Sequence, residues 1–322
     1  MRVFVALCLT LLIAGCDKRE PPAGDTGAAP PPVKLRVQLN WVPEPEFGGL
    51  YAAREQGLYR AAGLDVEIIK GSAGVPAAQL AASGQVELGV TTAPEIVQLR
   101  ARGAPIVAVY AQFRRSPRAV IVHATSPHQT LESLWKSEGR VMFEPGQTFA
   151  KWLDRRFGGE RLQRLPSTGN LAGFIADPTL AQAVYVFAEP VELDRRGVPV
   201  AVLDVASTGF DPYEAVIATR EAWLEANPDV ARRFIDATRK GWDAYLAGPG
   251  PINVVMAREN PAMSKDAMDT SARLAEPYVR GESGALGAMT AERWQALIDQ
   301  LVELGEVEAA KAPRAAQCFV RL

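Results

Sequence analysis

Residues 35–69 have the sequence LRVQLNWVPEPEFGGLYAAREQGLYRAAGLDVEII, which contains the structural unit that recurs along the chain. Apolar and polar residues alternate over 35–39, which predicts a β-strand. Apolar residues at helical spacing over 47–56 predict a helix that ends before Gly57. Residues 64–69 predict a second strand. Two strands joined by a helix are the repeating unit of parallel α/β sheets.

The same succession continues along the chain. Further strands are predicted at 86–90, 106–110, 119–122, 140–143, 183–187 and 200–203, and further helices at 75–83, 94–101, 131–136 and 149–157. Beyond residue 204 the pattern is mostly helical, with helices predicted at 221–227, 228–246, 265–275 and 290–304. This order predicts an α/β protein with two doubly wound α/β lobes, a ligand cleft between them and a helical C-terminal tail.

The limits of the two lobes follow from this succession of elements. Lobe 1 is expected to comprise residues 34–111 together with 205–322, and lobe 2 residues 112–204. The crossings between them are expected near 111–116 and 204–212. A chain that crosses more than once holds its two lobes around a shared cleft, where small ligands bind.

The composition excludes several classes of protein. The 322 residues include 35 basic and 37 acidic side chains, a net charge of −2, so no basic surface for DNA or RNA is expected. A charged fraction of 22% and a hydrophobic fraction of 48% are ordinary for a globular chain. We expect a monomer that binds a small molecule and no nucleic acid.

The N-terminus is predicted to be a lipoprotein signal peptide. Arg2 precedes an apolar stretch at 3–13, which is too short to span a hydrocarbon core of roughly 30 Å comfortably. Residues 12–16, Leu-Ile-Ala-Gly-Cys, resemble the lipobox of bacterial lipoproteins. The resemblance implies removal of residues 1–15 and lipidation of Cys16; the alternative is a cysteine that merely lies within a signal peptide.

A tether is predicted between this anchor and the globular body. Residues 17–32 contain five Pro and two Gly and no aromatic or large aliphatic residue, so residues 16–33 are expected to form an extended linker. Asp17 resembles the signal that keeps some lipoproteins in the inner membrane. The expected location is therefore the periplasmic face of the cell membrane, at the inner rather than the outer membrane.

The remaining cysteine and histidine residues do not suggest catalysis or metal binding. Cys318 stands alone once Cys8 is removed and Cys16 is acylated, and it is expected to be packed rather than nucleophilic. His123 and His128 are five residues apart and do not share one face of a regular helix. We expect no metal site.

Several motifs, beginning with LNWVPEPEFGGLYAA at 39–53, resemble one group of proteins. Further matches are GLY at 57–59, AGLDV at 62–66, GQVELG at 84–89, ARG at 101–103, EP at 189–190 and GFDPY at 209–213. The chain resembles the periplasmic solute-binding proteins of ABC importers, of the SsuA/THI5-like group. That group includes nitrate, sulfonate and taurine binders and the pyrimidine-precursor binders of thiamine salvage.

The resemblance implies a type II periplasmic binding protein whose lobes close on a solute. An ABC permease with its ATPase would be the partner, and the asparagine-tryptophan opening points to the branch that transports thiamine precursors. Nitrate, sulfonate or taurine remains the alternative ligand.

A thiamine pyrimidine synthase of the same fold is the enzymatic alternative. In that family a lysine bears pyridoxal phosphate, a nearby histidine is consumed and clustered cysteines bind iron. Aligned on this sequence, the lysine position falls on Thr91, the histidine position on Glu95 and the cysteine run near 208–213, which contains no cysteine. Without an amine no Schiff base forms, so we expect no enzymatic activity and no cofactor.

The candidate ligand contacts are residues that follow predicted strands, because ligands of α/β lobes bind beyond the carboxyl ends of the strands. Aromatic members would stack on a flat heteroaromatic ring, and polar members would bind its nitrogens and exocyclic amine. The candidates are Asn40, Trp41, Glu46, Thr91, Thr92, Glu95, Phe113, Glu144, Gln147, Thr148, Glu189 and Tyr213.

Structural roles remain open for several of these candidates. Trp41 can instead pack a strand end, Glu46 and Glu189 can bond backbone amides, and Glu95 can complement the dipole of the helix opened by Pro94.

The charges near the predicted cleft bear on the ligand. Glu46, Glu95 and Glu144 face no Lys or Arg at the same positions, which favours a neutral or amine-bearing ring over an anion. The exceptions, Arg114, Arg115 and Arg118, are expected on a solvated hinge face; if they point inward, the preference reverses.

Overall fold

The computed structural model describes residues 31–167, 169–281 and 285–322. The predicted signal peptide, the lipidation site Cys16 and nearly all of the predicted tether lie outside these residues. In the described part of the chain, no helix is both long and apolar enough to cross a membrane.

The strands of the described residues, in chain order, are β1 (Val33–Gln38), β2 (Leu64–Ile69), β3 (Leu88–Thr91), β4 (Ile106–Phe113), β5 (Arg118–His123), β6 (Arg140–Phe143), β7 (Gln163–Pro166), β8 (Leu180–Tyr185), β9 (Val200–Asp204) and β10 (Glu214–Arg220).

The helices of the same ranges are α1 (Gly48–Glu55), α2 (Leu58–Ala61), α3 (Ala77–Ser83), α4 (Ala93–Ala101), α5 (Leu131–Trp135), α6 (Thr148–Phe157), α7 (Ala172–Ala176), α8 (Glu189–Arg195), α9 (Glu221–Ala226), α10 (Pro228–Ala247), α11 (Gly250–Glu259), α12 (Lys265–Arg280), α13 (Ala291–Glu303) and α14 (Ala315–Cys318). A 3₁₀ turn, Pro45–Phe47, precedes α1.

Two five-stranded sheets form the body. The first has the order β2-β1-β3-β10-β4, with β1 parallel to β2 and β3, and with β10 antiparallel between β3 and β4. The second has the order β7-β6-β8-β5-β9, with β6 parallel to β7 and β8 and with β5 antiparallel to β8 and β9. The prediction of an α/β protein with two sheets and a helical C-terminal region is confirmed, although each sheet is mixed.

The chain passes between the sheets twice. It leaves the first sheet after Phe113 and enters the second at Arg118; it leaves the second after Asp204 and returns at Glu214. The residues at these four strand ends are therefore brought to the border of the two sheets.

Helix α1 packs closely on α10 through two glycines. A β-carbon on Gly49 would lie 2.3 Å from Trp242 Cγ, and one on Gly48 would lie 2.1 Å from Tyr245 Cε1. On the opposite helix, a β-carbon on Gly241 would lie 2.2 Å from the Gly49 carbonyl oxygen. The glycines of the 39–53 motif thus have a packing role, because side chains there would separate the helices.

Most predicted elements occur within two or three residues of their expected limits, but several elements were not predicted. These are β7, β10, α2, α7, α8, α11 and α14. Strand β4 also continues three residues beyond its predicted end at 110. Strand β10 matters most, because it completes the first sheet after the chain returns from the second.

Cys318 is buried, as expected for a packing residue. Burial raises the pKa of its thiol to about 12, so the reactive thiolate is scarce at neutral pH.

Candidate functional site

A cavity of about 320 Å³ lies at the border of the two sheets. It is lined from the first sheet by the turn after β1 and the start of α4, and from the second by the start of β5 and the turns after β6, β7 and β8. Nine of the twelve predicted contacts line it: Asn40, Trp41, Glu46, Thr92, Glu95, Glu144, Gln147, Thr148 and Glu189.

Aromatic rings form one part of the wall. Trp41 and Tyr185 are partly exposed to the cavity, and Phe143 and Phe149 meet edge to face with ring centroids 5.7 Å apart. Trp41 follows the first sheet and touches Gly169, which follows β7 of the second: a β-carbon on Gly169 would lie 2.4 Å from Trp41 Cζ2. The tryptophan thus spans the cleft.

The run Pro43-Glu44-Pro45-Glu46 places two carboxyl groups in the wall. Asn260 Nδ2 donates a hydrogen bond to Glu44 Oε1 at 3.3 Å, and burial together with the charge of Glu189 raises the pKa of Glu44 to about 8. Glu46 is only 4% exposed, and burial, followed by the charge of Glu44, raises its pKa well above the usual value. Both groups therefore hold a proton more tightly than an exposed carboxyl does.

Glu189 begins α8 and accepts a hydrogen bond from the Tyr185 backbone N–H at 3.0 Å. The structural role left open for this residue is present, and the side chain also lines the cavity. Burial raises the pKa of Glu189 despite the backbone N–H groups that lower it.

Arg118 also lines the cavity, so the expectation of a solvated hinge face is wrong for this residue. Its side chain is 15% exposed because β5 begins at this position and directs it under the Tyr185 ring, 4.6 Å from the centroid. It pairs with Glu214 at 3.8 Å. Burial lowers the pKa of Arg118, but Tyr185 and Glu214 outweigh this and raise it. Arg115, in contrast, is 52% exposed and pairs with Asp204 at 2.6 Å.

Helix α4 presents its N-terminus to the cavity. Thr92 caps the helix by accepting a hydrogen bond from the Glu95 backbone N–H at 3.4 Å. The Thr91 hydroxyl donates a hydrogen bond to the Glu95 carboxylate, and Thr91 itself is buried behind the wall. Glu95 thus complements the helix dipole, as its alternative role required, and also lines the cavity.

The turn between β6 and α6 supplies the opposite polar wall. Gln147 Nε2 donates to Glu144 Oε2 at 3.1 Å. Gln98 Nε2 of α4 donates to the Thr148 hydroxyl at 3.5 Å, a long contact that joins the two sides of the cavity.

Three predicted contacts do not line the cavity. Phe113 is the last residue of β4, which runs further than predicted, and it packs on Phe187 with ring centroids 5.2 Å apart. Tyr213 is buried beneath Arg293, 4.2 Å from its ring centroid, and accepts a hydrogen bond from the Thr290 backbone N–H. Thr91 reaches the cavity only through Glu95. The ring stacking predicted for Phe113 and Tyr213 is therefore unsupported by their positions.

The wall residues that were not predicted include Glu44, Arg118, Tyr185 and Glu214. Strand β10, which begins at Glu214, was not predicted, and Tyr185 was placed inside a strand that in fact ends there. The regular spacing in Pro43-Glu44-Pro45-Glu46 was the one signal that could have identified Glu44.

A second cavity of about 370 Å³ adjoins the first and shares Trp41, Glu44, Gly169, Ala188 and Glu189 with it. In the described residues, no group of three or more His, Cys, Asp or Glu is arranged to hold a metal ion. His123 stacks on Phe174 with centroids 4.3 Å apart.

Known proteins resemble this chain over most of its length. A family model described as NMT1/THI5 like matches residues 44–251. The formylaminopyrimidine-binding protein of Halalkalibacterium halodurans is 25% identical over 313 residues, which are 93% of this chain and 92% of that protein. The riboflavin-binding protein RibY of Chloroflexus aurantiacus is 26% identical over 267 residues, 76% of this chain and 74% of that protein.

More distant similarity extends to an enzyme and to solved structures. A 4-amino-5-hydroxymethyl-2-methylpyrimidine phosphate synthase of Saccharomyces cerevisiae is 22% identical over 231 residues, 67% of this chain and 68% of the enzyme. The periplasmic aliphatic sulphonate binding protein SsuA from Escherichia coli superposes with a TM-score of 0.70 at 17% identity, covering 90% of this chain and 94% of that one. The superposition identifies the periplasmic binding protein fold.

Proposed function

The chain belongs to the NMT1/THI5-like family, and on that basis we propose that it is the solute-binding component of an ABC importer. It binds a small heteroaromatic solute, such as a pyrimidine precursor of thiamine, and delivers it to the permease and its ATPase. The observation that carries this proposal is the cavity between the sheets, with aromatic rings and carboxyl groups in one wall.

The wall suits a flat ring that bears nitrogen. The Trp41 and Tyr185 rings offer faces for stacking, which contributes about 0.5–1.5 kcal/mol beyond area burial. A carboxyl group that keeps its proton near neutrality, such as Glu44, offers one donor and one acceptor side by side. That pair matches a ring nitrogen and the amine next to it.

An anionic solute is a poorer match to the same wall. Arg118 is the cation that such a solute would need, but it already pairs with Glu214 and lies under the Tyr185 ring. Glu44, Glu46, Glu144 and Glu189 line the remaining space and supply no second cation, and any of them that is ionised would repel a nitrate or sulfonate.

The proposal includes the organisation expected from the sequence. Lobe 1 comprises residues 34–111 and 205–322, and lobe 2 residues 112–204. Residues 1–15 act as a signal peptide, Cys16 carries the lipid, and residues 16–33 tether a monomeric body at the periplasmic face of the inner membrane. Labelling with a radioactive fatty acid, lost on Cys16→Ser, tests the anchor.

Calorimetric titration tests the solute class. The refolded, ligand-stripped body would be titrated with aminopyrimidines, riboflavin, taurine and nitrate. We expect binding of a heteroaromatic compound; binding of taurine or nitrate alone would refute the proposal.

The synthase is the alternative function, motivated by the match to the yeast enzyme. Position 91 holds a threonine whose hydroxyl bonds Glu95, so no amine is available there for a Schiff base with pyridoxal phosphate. Absorbance of the protein mixed with pyridoxal phosphate separates the two: the binding-protein proposal requires that no internal aldimine band forms.

A further inference from the structure

The cavity wall carries far more negative than positive charge. Among the described residues, the cavity is lined by one guanidinium, that of Arg118, and by the carboxyl groups of Glu44, Glu46, Glu95, Glu144, Glu189 and Glu214. Most of the six have partners within the protein. Arg118 pairs with Glu214, Thr91 donates to Glu95, Gln147 to Glu144, Asn260 to Glu44, and the Tyr185 backbone to Glu189.

Glu46 is different from the other five. The residue is 4% exposed and lines the cavity, and within the described ranges its carboxyl group makes neither a hydrogen bond nor an ion pair. A buried carboxyl group without a partner costs free energy unless something else supplies the missing contact. The side chain at the cavity wall is therefore placed to receive that contact from a ligand.

We infer that the solute carries a positive charge, as a protonated amine or a cationic ring nitrogen, and that Glu46 is its principal counter-ion. This inference rests on the proposed function and specifies the charge of the heteroaromatic solute. The aromatic wall supports it, because the face of an indole such as Trp41 attracts cations as well as flat rings.

The proton content of the empty site gives the inference a distinctive consequence. Burial, the largest cause, favours the protonated form of Glu46, and so do the charges of Glu44, Glu189 and Glu214. The charge of Arg118 favours the ionised form. A bound cation favours the ionised form. Binding of a cationic solute should therefore release a proton from Glu46 or from one of the neighbouring carboxyl groups, whereas binding of a neutral ring should release little or none.

The test compares two ligands that differ in charge. The probes are 4-amino-5-aminomethyl-2-methylpyrimidine, whose side-chain amine is protonated at pH 7.5, and its N-formyl derivative, which lacks that charge and whose ring is mostly unprotonated at this pH. Titration of the full chain at pH 7.5 in two buffers of different ionisation enthalpy gives both the affinity and the number of protons released. We expect tighter binding of the cation, with net proton release.

Two variants then test whether Glu46 is the residue that favours the cation. Glu46→Gln should lower the ratio of cation affinity to neutral-ligand affinity about ten- to hundredfold, as expected for loss of a charge-assisted bond. Glu138→Gln removes the same charge from a side chain that is 77% exposed and should leave the ratio unchanged. If Glu46→Gln does not fold, the affinity ratio is measured on Glu44→Gln instead. The number of protons that the unaltered chain releases on binding the cation then tests the charge of the solute.

The outcomes separate this inference from the proposed function. If the neutral derivative binds as tightly as the cation, or the cation binds without proton release, the inference is overturned while the importer proposal stands. If neither compound nor any other heteroaromatic binds, the proposed function fails and the inference fails with it.

Discussion

The indole of Trp41, which follows the first sheet, lies against the backbone of Gly169, which follows the second. A β-carbon on Gly169 would be 2.4 Å from Trp41 Cζ2, closer than any real contact, and Gly169 has φ +78°. The cleft is therefore bridged by a contact that only glycine permits at this position.

Gly169→Ala should weaken solute binding about tenfold or more, because the new methyl group displaces the Trp41 ring from the wall. The matched control is Gly197→Ala: Gly197 has a similar φ of +70° but nothing within 4 Å of its would-be β-carbon. Both variants should lose similar stability from backbone strain. The difference in solute affinity between them, measured by calorimetric titration, therefore reports the contact between residue 169 and Trp41. Equal affinity losses in the two variants would contradict this interpretation.

Trp41→Ala should weaken binding by more than about 1 kcal/mol through loss of stacking while the fold persists. Trp242→Ala is the contrasting variant, since Trp242 of α10 is fully buried against α1 and its loss should cost about 3–5 kcal/mol of stability. Titration and thermal unfolding of both proteins test the difference. A collapse of stability in Trp41→Ala, with unchanged affinity of the folded protein, would make Trp41 a core residue.

The ligand-free protein should lose stability as the pH rises from about 4.5 to about 8. The pKa values of Glu44, Glu46, Glu189 and Glu214 are raised in the folded state, mainly by burial, and that of Glu44 reaches about 8. The folded state thus binds more protons than the unfolded state, so the stabilisation is complete below about pH 4.5 and disappears as each folded-state pKa is passed. Each group contributes at most about 1.4 kcal/mol per pH unit.

Denaturant unfolding between pH 5 and pH 8 measures this slope. Glu46→Gln should flatten it, because a group that does not titrate contributes no slope. A free energy of unfolding that rises over this range in the unaltered protein would show that the carboxyl groups are stabilised in their ionised form.

Gly241→Ala should destabilise the fold by about 1–3 kcal/mol or more without changing the affinity of the folded protein. Its β-carbon would lie 2.2 Å from the Gly49 carbonyl oxygen, so α1 and α10 must move apart. Gly248→Ala, at the end of the same helix with nothing within 4 Å, is the control. A large loss of affinity in Gly241→Ala would indicate that this helix contact also shapes the cavity.

The sequence predicted the elements with strong periodicity well. Strands β2 and β6 lie at their predicted limits, and α4 begins one residue before its own. The nine predicted contacts that line the cavity all follow strand ends of the two sheets or begin helices there, because topology brings strand ends together wherever the sheets meet.

The errors arose where local pattern does not determine tertiary context. Strand β4 is buried along its full length, and no local signal distinguishes its end at Phe113 from one at residue 110. Arg118 was expected in solvent because a lone arginine generally is, but Glu214 compensates its charge from 96 residues away. Glu214 lies on β10, which pairs with strands far away in the sequence, and such pairing cannot be predicted from a short stretch of residues.

The most direct test of the proposed solute is a mass spectrum of the small molecules that are released when the protein, purified from its native host, is denatured. We expect a nitrogen heteroaromatic compound that is positively charged near neutral pH and is released without cleavage of a covalent bond. Recovery of an alkanesulfonate, or of pyridoxal phosphate bound through an amine, would refute the proposed function.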